Sequence, residues 1–111
     1  MKKFLFFIAA AIVAAGCATQ STTEKPELRF REDGTFKIAQ FTDLHWSEDR
    51  PEAVEIIKSV VRDVTTAEQP DVVIFTGDVI TTDPAEAGWR HLISLMAELG
   101  GPYAATMGNH D

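Results

Sequence analysis

The chain has 111 residues, 45% of them hydrophobic and 24% charged, which gives room for one small domain and too much apolar material for a disordered chain. Ten Lys and Arg stand against 17 Asp and Glu, a net charge of −7. That balance excludes a generic nucleic-acid binder, which needs a basic surface to meet phosphates. It leaves a phosphoester substrate open, because bound metal ions invert the local charge.

The first segment carries an address, not a fold. Lys2 and Lys3 precede an unbroken apolar run, Phe4 to Ala15, too short for a bilayer span of ~20 residues. A basic start, a short apolar core and a small-residue exit predict a secretory signal peptide. Without the two lysines the balance is 8 against 17, or −9. The exit, Ala14-Ala15-Gly16-Cys17, resembles the bacterial lipobox, with Ala14 where Leu is usual. The resemblance implies that residues 1–17 form a lipoprotein signal peptide and that Cys17 is lipidated and becomes the mature N-terminus. An ordinary signal peptide with a nearby cysteine is the plainer alternative. Ala18 follows, with no Asp to retain the protein at an inner membrane, so an outer-membrane anchor is implied for a Gram-negative source. Cys17 is the single cysteine, and no intramolecular disulfide can form. Residues 18–27 are Thr, Ser, Gln, Glu, Lys and Pro-rich and predict a flexible tether.

Residues 28–111 read as the domain. Leu28 to Phe30 and Phe36 to Phe41 flank Arg31-Glu32-Asp33-Gly34, and Asp-Gly between β-prone runs predicts a hairpin. Arg29 and Arg31 then lie on a solvated strand face. Pro51 to Thr66 predicts a helix with Ala53, Ile56, Ile57, Val60, Val61 and Val64 as its apolar stripe and Pro51 in its first turn. Val72 to Phe75, between Pro70 and Gly77, predicts a strand buried on both faces. Asp83, Pro84 and Glu86 have the spacing of a capping box. The helix they open would bury Trp89, Leu92, Ile93, Met96 and Leu99 and end at Gly100-Gly101-Pro102. Tyr103 to Met107 predicts a third strand. Strand, helix, strand, helix, strand implies right-handed crossovers and a mainly parallel sheet, an α/β class.

Each strand runs out into a polar tip. The tips are Thr42-Asp43-Leu44-His45, Thr76-Gly77-Asp78 and Gly108-Asn109-His110-Asp111. Ligands of open α/β sheets bind outside the carboxyl ends of the strands, so the three tips converge on one edge. Asp43, His45, Asp78 and Asn109 offer carboxylate, imidazole and amide oxygen, a donor set suited to Mn, Fe or Zn and lacking the thiolates of a structural zinc site. Gly77 and Gly108 let backbones approach where a side chain would obstruct them. Any one tip alone reads as a turn or a helix cap; the ordered set carries the signal. His91, mid-helix and off the apolar stripe, reads as solvent-facing, Trp89 as core, and Trp46 equally as pocket lining or loop packing.

Asp-x-His, Gly-Asp and Gly-Asn-His-Asp, in this order with a βαβ unit between each pair, resemble the calcineurin-like metallophosphoesterase superfamily. FKIAQFTDLHW and DVVIFTGDVIT look like its purple-acid-phosphatase-related branch of exported phosphatases. The resemblance implies the first half of an α/β/β/α sandwich and hydrolysis of a phosphomonoester or phosphodiester by a dinuclear-metal-activated hydroxide, without a phosphorylated enzyme. It implies that Asp43 and His45 bind one divalent ion, that Asp78 bridges two, and that Asn109 binds the second. It implies that His110 protonates the leaving oxygen or stabilises the transition state, and that Asp111 holds His110 in the right tautomer. Thr81 stands where purple acid phosphatases carry the tyrosine on their ferric ion, so no charge-transfer colour is expected. The chain has only three histidines, His45, His91 and His110. The further histidines of the family pattern are expected in a longer product, and this chain alone is expected to be inactive. A metal-binding lipoprotein without turnover, and a structural lipoprotein without metal, are the competing classes. The partners implied are a small phosphoester and, through the lipid, a membrane.

Overall fold

The computed structural model describes residues 26–111. The signal peptide, Cys17 and all but the end of the tether lie outside the described residues. In chain order the elements are β1 (Ile38–Phe41), α1 (Pro51–Glu68), β2 (Val72–Thr76), α2 (Glu86–Leu99) and β3 (Tyr103–Thr106). The sheet order is β1-β2-β3, all parallel, as the alternation of elements predicts. Right-handed crossovers in that order put both helices on one face. Arg62 of α1 accordingly reaches Glu98 of α2 at 3.4 Å.

Period-two alternation divides the sheet. Ala39 and Phe41 of β1 and Val73 and Phe75 of β2 join the helix-side core with Val54, Val61, Leu92, Leu95 and Met96. Phe41 stacks on Phe75 at 5.7 Å between centroids. Each such side chain, fully buried, contributes about 1.5–3 kcal/mol. The opposite face is open: Ile38 is 53% exposed, and Gln40 Nε2 donates to Thr76 Oγ1 at 2.9 Å across it. β2 is buried on its helix side at Val73 and Phe75 and on its other face at Val72, while Ile74 and Thr76 are only half covered, so the two-sided burial expected from its apolar run holds at its start and fades toward its end. β3 is an edge strand exposed throughout.

The helix stripes rotate relative to expectation. In α1 the buried side chains are Val54 and Val61, with Ile57 and Val64 packed beside them. Ile56 is 66% and Val60 47% exposed. In α2 Leu95 is buried where Ile93 was expected, and Ile93 is 47% exposed. The capping box does not form. The helix starts at Glu86 and its cap is Ala85, with no side-chain hydrogen bond, in place of the expected Asp83; nearby Thr82 Oγ1 accepts the Glu48 N–H at 2.7 Å. The other end agrees: Gly100, at φ 72°, closes α2 with its N–H on Met96 O at 2.9 Å.

The Asp-Gly turn forms without its hairpin. Gly34 N–H donates to Arg31 O and Arg31 N–H to Thr35 O, each at 2.9 Å, but Leu28 to Phe30 pairs with no strand among the described residues. Arg31 is not on a solvated strand face. Its Nε reaches Asp71 Oδ2 at 2.9 Å and its Nη2 donates to Gln69 O at 2.9 Å. That side-chain link holds the segment where strand pairing was expected to.

Gly88 lies inside α2, where glycine costs roughly 1 kcal/mol against alanine. A Cβ there would stand 2.6 Å from Ile80 Cγ2. The helix lies that close to the chain leaving β2, which is how its packing reaches the polar tips.

Candidate metal centre

The chain leaving β1 runs alongside the chain leaving β2. Asp43 N–H donates to Gly77 O at 3.1 Å, His45 N–H to Asp78 O at 3.0 Å, and Trp46 N–H to Val79 O at 2.9 Å. Trp46 and Ile80 form a parallel bridge. The pairing of the strands thus continues past their ends and sets Asp43 and His45 beside Asp78.

Asp43, His45 and Asp78 each offer one ligand atom, and all three atoms lie within 4.8 Å of one another. His45 Nε2 is 3.8 Å from Asp43 Oδ1. All three backbones are left-handed, with φ of 52°, 51° and 48°. Only one other non-glycine residue, Gln69 at the end of α1, shares that conformation among the described residues. Left-handed backbone at a residue with a side chain costs of order 1–3 kcal/mol and concentrates at functional sites. Here it turns three donors of adjacent loops toward one point. Among the described residues no lysine or arginine side chain pairs with Asp43 or Asp78, so two carboxylates converge with only an imidazole between them. A divalent cation satisfies that arrangement, and the donor chemistry fits one.

The loops that carry these donors are braced. Thr42 Oγ1 lies 2.6 Å from Asp43 Oδ2 and 3.1 Å from Thr76 O. Arg50 Nη2 donates to His45 O at 3.0 Å. Trp46 is fully buried, which settles it as packing, and its Nε1 donates to Glu48 Oε1 at 2.8 Å. His91 is exposed but not idle. Its Nδ1 lies 2.9 Å from the same Glu48 oxygen, and its ring stacks 6.5 Å from Trp46. These two hydrogen bonds, His91 first, hold the Glu48 carboxyl below the usual range. Helix α2 is thereby tied to the loop bearing His45. No sequence signal marked this anchor, because Glu48 and His91 are 43 residues apart.

The third tip closes on the second. A Cβ on Gly108 would stand 2.3 Å from Asp78 Oδ1, and one on Gly77 would stand 3.1 Å from Gly108 Cα. Glycine at both positions is what permits the approach. His110 N–H donates to Asp78 Oδ1 at 3.2 Å, and Asn109 sits in the turn between that bond and Gly108. The Asp111 carboxylate accepts from Val79 N–H at 2.7 Å and Ile80 N–H at 2.8 Å on one oxygen, and from Gly108 N–H at 2.6 Å on the other. Its hydrogen bonds are to these backbone amides, with none to the His110 ring among the described residues. Burial raises its pKa, but the N–H groups of Gly108, Ile80, Val79 and Asp78 outweigh it, and the carboxyl titrates below the usual range.

The family model for calcineurin-like phosphoesterase matches residues 36–111. The chain is 38% identical over 101 residues to a probable inactive purple acid phosphatase, number 28, of Arabidopsis thaliana, covering 76% of this chain and 25% of that protein. It is 33% identical over 78 residues to the uncharacterised metallophosphoesterase YkuE of Bacillus subtilis, covering 68% of this chain and 26% of that one. A further Arabidopsis relative, probable inactive purple acid phosphatase 29, is 27% identical over 126 residues, covering 97% of this chain and 32% of its own. The chain belongs to the calcineurin-like phosphoesterase family, and its βαβαβ unit agrees with the first half of that family's α/β fold. It spans about a quarter of the length of the first two relatives. The family uses divalent metals and acts on phosphoesters.

Proposed function

We propose that the full-length product hydrolyses a small phosphomonoester or phosphodiester with two divalent ions, Mn, Fe or Zn, as an exported, lipid-anchored protein. The observation that carries this reading is the meeting of Asp43, His45 and Asp78 within 4.8 Å, on backbones strained toward one point. In this reading Asp43 and His45 hold one ion, Asp78 is shared, and Asn109 serves the second ion. The remaining ligands come from outside this chain. When bound, the ions polarise the phosphoryl oxygens and activate water for attack on phosphorus.

The chain's own residues do the rest. Asp43 and Asp78 bring negative charge that fixes the cations. Arg50, on the His45 carbonyl, keeps the imidazole at its post. His110, its backbone tied to Asp78, delivers a proton to the leaving oxygen, the general-acid role.

The printed names of two relatives, each a probable inactive purple acid phosphatase, favour a second reading: a site that keeps metal without turnover. One variant series separates the two. Asp78→Asn in the full-length protein is expected to lose bound metal and p-nitrophenyl phosphate hydrolysis together, measured by elemental analysis and steady-state rates. Metal retained by a wild-type protein that shows no hydrolysis of mono- or diester substrates would select the second reading. An Asp78→Asn protein with wild-type metal content would sink both.

A further inference from the structure

We infer that Asp111 is a positioning residue whose carboxylate clasps the β2 loop to the Gly108–Asp111 loop and so sets the distance between Asp78 and Asn109. The inference deepens the metal reading above and rests on it. It replaces the expectation that Asp111 works through the His110 ring.

The geometry is specific. One oxygen takes the N–H groups of Val79 and Ile80, the two residues that follow Asp78. The other takes the N–H of Gly108, the residue before Asn109. A single side chain therefore grips the backbone immediately beside two proposed ligands on different loops. Asp78 holds φ at 48°, and Val79 and Ile80 after it are fully buried, so their N–H groups need an acceptor. Gly108 lies so near Asp78 that a single Cβ would collide with both Oδ1 and the backbone nitrogen, at 2.3 and 2.4 Å. The gap between the loops has no slack, and the clasp spans it. A carboxylate suits the task because its two oxygens accept all three donors at once, which an amide cannot.

The test uses the full-length protein with Mn²⁺ as the probe. Asp111→Ala is expected to weaken Mn²⁺ binding by roughly tenfold or more in calorimetric titration. In the metal-free protein it is expected to speed amide hydrogen exchange at Val79, Ile80 and Gly108. Asp111→Asn keeps one acceptor for Val79 and Ile80 but turns an amide donor on Gly108, so its loss should fall between wild type and Ala. If Asp111→Ala does not fold, the Asn variant decides by the same two measurements. The loss must persist unchanged in a His110→Ala background. Unaltered exchange at the three amides, or an affinity loss that vanishes once His110 is gone, would overturn the clasp. A wild-type protein that binds no Mn²⁺ overturns the metal reading itself, and the two failures are thereby told apart.

Discussion

Asp43, His45 and Asp78 occupy backbone conformations that most side chains avoid. Asp and His are among the residues that enter the left-handed region most readily, so the same residue types that suit a cation also tolerate the strain of presenting it. His110 differs, being placed by a backbone hydrogen bond to Asp78. Removing its ring leaves that bond in place. His110→Ala is therefore expected to keep the metal content of wild type while kcat falls by about 10²–10⁴, the usual contribution of a general acid. Metal analysis and steady-state kinetics on one preparation check it, and a rate within threefold of wild type would remove His110 from the chemistry. The sequence legibly marked the first two of the three motifs, and the structure brings their Asp43, His45 and Asp78 within 4.8 Å of one another. Asp111's attachments were not legible, because Val79 and Ile80 lie 32 and 31 residues away and their N–H groups carry no mark in the letters.

Among the elements, the three parallel strands read more faithfully than the helix faces or the expected hairpin at Leu28 to Phe30. β2 and β3 fall within a residue of the predicted runs, and β1 keeps its predicted end at Phe41 while starting two residues late. The stripe of α1 did not read as well, for a geometric reason. At 100° per residue Ile56 and Val60 lie roughly 200–240° around from Val54, and a helix with β-branched residues on two sides offers two plausible faces. Only the position of β1 and α2 chooses between them. A second feature of this scale is Asp71, just before β2 and at the end of the sheet away from the metal ligands. It accepts the Lys37 N–H at 2.6 Å and the Arg31 Nε at 2.9 Å. The Lys37 bond first, opposed by some burial, and then Arg31 hold its carboxyl below the usual range. A depressed carboxylate stabilises the fold fully above its unfolded pKa of about 3.9 and loses that contribution as pH falls through the folded value. Asp71→Asn should thus lower the denaturation midpoint at pH 7. The difference from wild type should hold down to roughly pH 4 and close below it. Metal affinity should not change. A gap that stays constant to pH 2 would show that the charge of Asp71 is not what matters.

For the whole molecule the proposed export raises the question of how an acidic domain would be held at a membrane. Without Lys2 and Lys3 the chain carries 8 basic against 17 acidic residues, or −9, which repels the anionic lipid surface that basic segments seek. No helix among the described residues is long and apolar enough to cross a bilayer. The proposal of export places attachment on lipid at Cys17, with residues 18–27 as the tether. Lipid holds by burying acyl chain and not by charge, so a lipidated wild type should stay in the membrane pellet through a high-salt wash. Cys17→Ser in the full-length protein, expressed in a bacterial host, should move it to the soluble fraction of the envelope while leaving the metal content of the folded domain unchanged. Fractionation followed by mass measurement of the mature N-terminus reads both. A Cys17→Ser protein that still sediments with the membrane, or a wild type whose N-terminal peptide carries no lipid, would end the anchoring proposal and leave the metal centre untouched.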